Sequence, residues 1–146
     1  MTDQVLSGTA IHLGVTASSR EEAVRLCGEA LLALGAIAPE YIDAMWEREL
    51  LMSSYVGERL AIPHGTDRSR QYVKRAQLTV LRFAEAVDWA GEPVEIAVGI
   101  ASAGDEHVEV LGSLAQALLD DDLRAILFTS TDVEEIAQVL TKAFGE

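Results

Sequence analysis

A histidine just after a short apolar segment, which is typical of a buried strand, is the most reactive feature of this sequence. The segment Leu60–Ile62 is apolar and ends at Pro63, after which come His64, Gly65 and Thr66. Because proline fixes its own φ and drives the preceding residue towards extended geometry, we expect the strand to end here. Gly65 can adopt positive φ and puts no side chain beside the imidazole. A neutral imidazole in such a place can act as a nucleophile and form a covalent intermediate, although an ordinary turn histidine has the same pattern.

Two further residues are candidates for handling an anion. Arg48 lies on a predicted helix with apolar neighbours one turn away, so its guanidinium either snorkels to solvent or reaches a site and binds phosphate oxygens. His107 falls in the first turn of another predicted helix, where the helix dipole favours an anion and a neutral imidazole. A polar residue that faces water at a helix start is the alternative for His107. The residues alone do not decide either case.

Other chemistries have weaker support. Asp67, Asp105 and Glu106 could accompany the histidines as metal ligands, but the chain has no His-x-x-x-His or Cys-x-x-Cys spacing. A glycine-rich phosphate-binding loop is also missing, which argues against a nucleotide-dependent kinase. We therefore expect no metal and no cofactor. Thr66 could cap the histidine turn or touch phosphate, and His12 is interpreted as a strand residue without a special role.

Composition predicts one domain over residues 1–146, with 49% apolar and 24% charged residues. The net charge of −13 argues against nucleic acid and anionic membrane surfaces as partners. Seven of the eleven basic residues nevertheless lie between Arg48 and Arg82, around the histidine. No apolar run is long enough to span a membrane, the first residues do not resemble a secretory signal, and Cys27 fits an apolar helical stripe. We expect a cytoplasmic protein without direct membrane insertion.

The apolar pattern predicts alternating strands and helices. Strands are expected at 9–15, 60–62, 76–83 and 94–101, with small residues on one face of the last. Helices are expected to follow Ser19 (with Glu22 as a capping box), to run from Pro39 to about Met52, and to cover 105–119 and 122–128. A final helix starts at a second capping box, Thr131 with Glu134. Residues 53–57 are expected to be a connector and 65–73 a loop. The predicted fold class is α/β, a mixed β-sheet flanked by helices on both faces in a single domain.

The segment Leu60–Thr66 resembles the phosphorylation motif of the mannitol/fructose-type enzyme IIA components (EIIA type 2) of the bacterial sugar phosphotransferase system, closest to the mannitol branch. The resemblance covers nearly the whole chain through segments in the family's order: Ser19–Ala23, Pro39–Ile42, Trp46–Glu49, Val98–Ala101, Asp105–His107 and Leu118–Asp121. It implies that Nε2 of His64 accepts phosphate from the phosphocarrier protein HPr and passes it to a cysteine of the IIB component. It also implies that Arg48 and His107 belong to the active centre.

Two alternatives remain at this stage. The chain could be a regulatory phosphohistidine module like the nitrogen-related IIA proteins, although Gly65-Thr66 and the Trp46–Glu49 segment look more like the transport branch. A metal hydrolase is the third interpretation. Since the sequence holds neither a membrane part nor a second cysteine, we expect the IIB and IIC components on separate chains or in parts of a longer chain. The identity of the sugar, taken as mannitol, rests on the branch similarity.

Overall fold

The fold is an α/β structure built on one five-stranded mixed sheet. The computed structural model describes residues 10–101 and 120–145. The strands are β1 (Ile11–Val15), β2 (Tyr55–Gly57), β3 (Leu60–Ala61), β4 (Gln77–Trp89) and β5 (Glu92–Ala101), in the order β1-β4-β5-β3-β2. β1 pairs parallel with β4, and β3 pairs parallel with β5, whereas the β4–β5 and β2–β3 pairs are antiparallel. The predicted mixed sheet is confirmed.

Helices lie on both faces of this sheet. They are α1 (Arg20–Ala33), α2 (Glu40–Leu51), α3 (Asp121–Thr129) and α4 (Val133–Gly145), with a 3₁₀ helix over Asp67–Tyr72. One buried cluster joins α1 and α2 to the sheet face that carries Leu81 and Phe83. The other joins α3 and α4 to the face that carries Leu78 and Val80. β4 is therefore covered on both faces, as its apolar pattern predicted. Within the described ranges no helix is long and apolar enough to cross a bilayer.

The small face of β5 lets α1 come close. A Cβ on Gly99 would lie 2.9 Å from Cβ of Cys27, so only glycine fits at this crossing. Cys27 is fully buried, and this burial raises the pKa of its thiol to about 12. The close approach expected from the small residues is confirmed. Val94, which lies beyond an irregularity in the β4–β5 register, packs on the same face as these small residues, whereas Ile96 packs on the opposite face.

Helices α1 and α4 begin close to the predicted positions, but the side chains that cap them differ in part from the predicted ones. Ser19 Oγ accepts a hydrogen bond from the Glu22 N–H at 3.1 Å, but the Glu22 carboxylate binds the N–H and the hydroxyl of Ser18 instead of closing a reciprocal box. At α4 the cap is Asp132, whose carboxylate accepts from the N–H of Glu134, so Thr131 was the wrong residue. A carboxylate can accept the hydrogen bonds of the first turn and also interacts well with the helix dipole.

Three segments differ from the sequence prediction. The connector 53–57 contains β2, the loop 65–73 contains the 3₁₀ helix, and β4 continues to Trp89 instead of ending at residue 83. The β2–β3 turn uses Glu58 and Arg59 with φ of 55° and 64°, a conformation that normally calls for glycine or asparagine. Ion pairs at the protein surface join Glu58 to Arg124 and Arg59 to Glu95 at this turn. The predicted helix over 105–119 lies outside the described residues.

Candidate active site

His64 extends β3 alongside the end of β5. It forms an isolated parallel bridge with Ile100, whose N–H donates to the Pro63 carbonyl at 2.9 Å. Ile62 and Pro63 are buried, whereas His64 is half-buried. The histidine is therefore fixed at the end of a covered strand and is still reachable from outside, as the sequence predicted.

The imidazole is oriented by its own strand. His64 Nδ1 lies 2.8 Å from the Ile62 carbonyl oxygen. Because a carbonyl oxygen only accepts hydrogen bonds, this contact requires the proton of a neutral ring to be on Nδ1. Nε2 then carries the lone pair. The arrangement can supply a nucleophilic Nε2 without any further general base.

The residue after the histidine is glycine for a different reason from the one expected. Gly65 does not have positive φ. Instead, a Cβ at this position would lie 2.5 Å from Cε1 of Tyr41 and would also clash with Oγ of Ser69. The Gly65 N–H donates to the Tyr41 hydroxyl at 2.9 Å. Gly65 is thus required by the close approach of two side chains, and it does not use the positive φ that glycine allows.

Arg48 lies on the last turn of α2 and is half-buried. Its Nη1 donates to the Met52 carbonyl at 2.7 Å, and the Met52 N–H in turn donates to the Arg48 carbonyl at 3.2 Å. A guanidinium has five N–H donors, of which this bond uses one. Arg48 and His64 line the same cleft, so the structure brings these two predicted residues together.

The cleft has a volume of about 340 Å³ and a positively charged wall. Besides His64 and Arg48, it is lined by Arg70 of the 3₁₀ helix and by Thr66 and Asp67. Arg70 Nη2 is 3.5 Å from the Asp67 carboxylate, a long and exposed contact of little strength. The cleft wall therefore carries two cations, offset in part by the exposed carboxylate of Asp67. Arg70 was not singled out from the sequence beyond its place in the basic stretch.

Thr66 precedes the 3₁₀ helix, but its side chain makes no capping hydrogen bond. Its carbonyl oxygen accepts from the hydroxyl of Ser69 at 2.6 Å, so the backbone, and not the Thr66 hydroxyl, closes this turn. The suggestion that the Thr66 side chain caps the turn was wrong. Thr66 lines the cleft, so contact between Thr66 and a bound anion stays a prediction.

An apolar rim lies beside the cleft. It consists of Leu50, Leu51 and Met52 at the end of α2, with exposed fractions of 61%, 76% and 66%. Leu51 also lines the cleft itself. Three adjacent exposed apolar side chains next to a reactive group are typical of a surface that contacts another protein.

Four candidate residues from the sequence remain. His107, Asp105 and Glu106 are outside the described residues, so the geometry of His107 relative to His64 stays a prediction. His12 is exposed on β1. In the part of the chain that the structure describes, no group of three His, Cys, Asp or Glu side chains could hold a metal ion.

The family model, related sequences and a solved structure that match this chain belong to the sugar phosphotransferase system. Residues 4–143 match the family described as "Phosphoenolpyruvate-dependent sugar phosphotransferase system, EIIA 2". The mannitol-specific phosphotransferase enzyme IIA component of Staphylococcus aureus is 38% identical over 140 residues, which cover 96% of this chain and 97% of that protein.

Two further relatives show the family in larger assemblies. The mannitol-specific EIICBA component of Vibrio cholerae is 37% identical over 133 residues, 89% of this chain, and the match spans 20% of that longer protein. Among solved structures, the mannitol enzyme IIA of Escherichia coli in complex with phosphorylated mannitol enzyme IIB superposes with a TM-score of 0.86. That match has 35% identity and covers 94% of this chain and 97% of the solved one.

Proposed function

This chain belongs to the EIIA type 2 family of the phosphoenolpyruvate-dependent sugar phosphotransferase system, and from that premise we propose that it carries phosphoryl groups during mannitol uptake. The phosphoryl group comes from HPr and leaves to a cysteine of a IIB component, the partner present in the Escherichia coli complex. The observation that supports this most directly is the contact of His64 Nδ1 with the Ile62 carbonyl, which leaves Nε2 as the nucleophile.

Each transfer is a displacement at phosphorus. Nε2 of His64 forms the new N–P bond while the bond between phosphorus and its carrier atom on HPr breaks. In the second step the IIB thiolate attacks the same phosphorus, and Nε2 leaves with its electron pair. Because such reactions demand position and charge stabilisation more than covalent help, a fixed imidazole in a cationic cleft suffices.

Arg48 is the proposed ligand of the phosphoryl oxygens. A phosphoryl group brings close to two negative charges into the cleft, and a guanidinium binds such oxygens through paired N–H donors. The bond to the Met52 carbonyl holds the Arg48 side chain in place before phosphate arrives. Arg70, on the same cleft wall, adds a second positive charge.

His107 is proposed as a hydrogen-bond donor to the phosphoryl group, on the strength of the family motif Asp105–His107. A neutral imidazole there contributes one bond of roughly 0.5–1.5 kcal/mol net, somewhat more to a charged acceptor. His107→Gln should therefore keep much of the transfer rate that His107→Ala loses, which is about tenfold. Equal single-turnover rates for both variants and the wild type would contradict this role.

The apolar rim, Leu50 to Met52, is proposed as part of the surface on which HPr and IIB dock in turn. Both partners must bring a reacting atom to within bonding distance of His64, and the rim borders that cleft. We also assign this protein to the cytoplasm, where phosphoenolpyruvate supplies the phosphoryl groups.

Labelling from phosphoenolpyruvate tests the proposal. The protein is incubated with enzyme I, HPr and ³²P-phosphoenolpyruvate, and then chased with a mannitol IIB domain. Label should appear in an alkali-stable form on the wild type and on His12→Ala, and should move to IIB. It should be absent from His64→Ala. Label on His64→Ala equal to that of the wild type would refute the assignment of the phosphorylated residue.

A second arm tests Arg48. Arg48→Ala should slow transfer, and Arg48→Lys should restore it in part, because an ammonium keeps the charge and loses the paired donors. Arg25→Ala is the matched control, since Arg25 is a cation on α1 that binds Glu21 and Asp43. If Arg48→Ala transferred phosphate as fast as Arg25→Ala, Arg48 would have no part in binding phosphate.

A further inference from the structure

We propose that Tyr41 is a positioning residue for His64, an inference that rests on the phosphoryl-transfer function proposed above. Tyr41 is in the first turn of α2 and is 3% exposed, and it also forms part of the cleft wall. Its hydroxyl donates to the Ile100 carbonyl at 2.9 Å and accepts from the Gly65 N–H at 2.9 Å. The hydroxyl thus joins the end of β5 to the residue after the histidine.

These bonds complete a fixed frame around His64. On one side of the histidine, the Pro63 carbonyl accepts from the Ile100 N–H at 2.9 Å. On the other side, the Gly65 N–H reaches the Ile100 carbonyl through the Tyr41 hydroxyl. Both neighbours of the histidine are therefore connected by hydrogen bonds, directly or through Tyr41, to one residue of the central sheet, Ile100. The backbone of His64 cannot rotate without breaking one of these bonds.

The aromatic ring supports the same turn by contact. The space where a Gly65 side chain would be is filled by Cε1 and Cζ of Tyr41. The ring therefore limits movement of Gly65 towards α2, while the hydroxyl prevents movement away from it. Small displacements of the histidine matter here, because phosphoryl transfer between two proteins depends on an aligned nucleophile. A misplacement of about 1 Å can lower the rate 10²-fold.

Removal of the hydroxyl alone separates position from packing. Tyr41→Phe keeps the ring and leaves the Gly65 N–H and the Ile100 carbonyl without this partner. We expect the rate of single-turnover phosphorylation from saturating phospho-HPr to fall about tenfold, with the half-saturating HPr concentration unchanged. The Gly65 amide should exchange its hydrogen faster, and the ¹⁵N shifts of the His64 ring should move towards a mixture of tautomers.

The control is Thr79→Val, which also removes a buried hydroxyl that donates to a backbone carbonyl, that of Ala10 at 2.9 Å. Its phosphorylation rate and His64 ring shifts should equal those of the wild type even if its stability falls. If Tyr41→Phe has the same rate and ring shifts as the wild type, the inference is wrong. It is equally wrong if only the half-saturating HPr concentration changes, because Tyr41 would then serve docking.

Failure of the proposed function gives a different result. In that case the wild type itself would take no label from phospho-HPr. The exchange of the Gly65 amide and the tautomer of His64 need no phosphate donor, so these two measurements would still support or overturn the positioning role of Tyr41.

Discussion

The buried carboxylate of Glu49 is expected to be a main source of stability near the cleft. Glu49 is 2% exposed and follows Arg48 on α2. Its Oε2 accepts from Trp89 Nε1 at 2.8 Å and from the Ser54 N–H at 2.9 Å, and its Oε1 accepts from the Ser54 hydroxyl at 2.6 Å. The side chain ties the end of α2 to the end of β4 and to the segment before β2.

The two informative substitutions are Glu49→Ala and Glu49→Gln. Alanine leaves the indole N–H of Trp89 and the backbone N–H of Ser54 buried without an acceptor, at about 1–3 kcal/mol each, so about 2–6 kcal/mol in total. Glutamine can place its carbonyl where Oε2 lies and its amide where Oε1 lies. The Ser54 hydroxyl can turn to accept from that amide. What is then lost is the extra strength of bonds to a charged acceptor and the 3.9 Å contact of Oε2 with the Arg20 guanidinium, together about 1–2 kcal/mol.

Equilibrium unfolding in urea, followed by far-ultraviolet circular dichroism, measures these losses. Glu47→Ala is the control, because Glu47 is exposed on the same helix and its loss should change the free energy of unfolding by less than about 0.5 kcal/mol. The expected order of stability is wild type and Glu47→Ala, then Glu49→Gln, then Glu49→Ala. If Glu49→Ala lost under 1 kcal/mol, or if Glu49→Gln were as unstable as Glu49→Ala, the hydrogen-bond reasoning would be refuted.

Three more results are expected. Ala90 has φ of 56° in the β4–β5 turn, so Ala90→Gly should raise the free energy of unfolding by about 1 kcal/mol in urea titrations; a decrease would contradict the strain. Because burial raises the pKa of Cys27 to about 12, the unfolded chain releases the thiol proton first, and stability should fall as pH rises from about 9 to 12. In urea unfolding measured at several pH values, Cys27→Ala should not show the part of this decrease in stability that comes from the thiol. Gly65→Ala should lower the free energy of unfolding by about 1–3 kcal/mol through overpacking against Tyr41, and should also slow phosphorylation. If the variant unfolded at the same temperature as the wild type, the close contact would be contradicted.

The sequence predicted the parts of the fold that follow a strong apolar period. β4 was identified as a central strand because its apolar residues alternate between two buried faces, and both clusters contain the residues assigned to them. Its extension to Trp89 was missed because Ala84–Ala86 is exposed and interrupts that pattern. β2 was missed because it has three residues, and its turn uses Glu58 and Arg59 where a recognisable hairpin has asparagine or glycine.

The candidate site divides in the same way. His64 and Arg48 could be proposed from the sequence because each is chemically unusual among its neighbours in the chain. Tyr41 and Glu49 act through partners far away in sequence, Ile100 and Trp89, and such pairings cannot be deduced from local spacing. A signal for Glu49 did exist. Tyr41, Met45 and Glu49 lie four residues apart on one helical stripe, so the stripe predicts burial for the carboxylate.

The frame around His64 also has a consequence for the order of folding. β3 has two residues, and the contacts that fix the histidine come from Ile100 and Tyr41, which are 59 positions apart in the chain. Contacts of such separation are slow to form, because the loop-closure entropy between them must first be overcome. The ability to accept phosphate should therefore return in the last phase of refolding, after most helical signal has recovered. A newly made chain should then accept phosphate only after α2 and β5 have both docked.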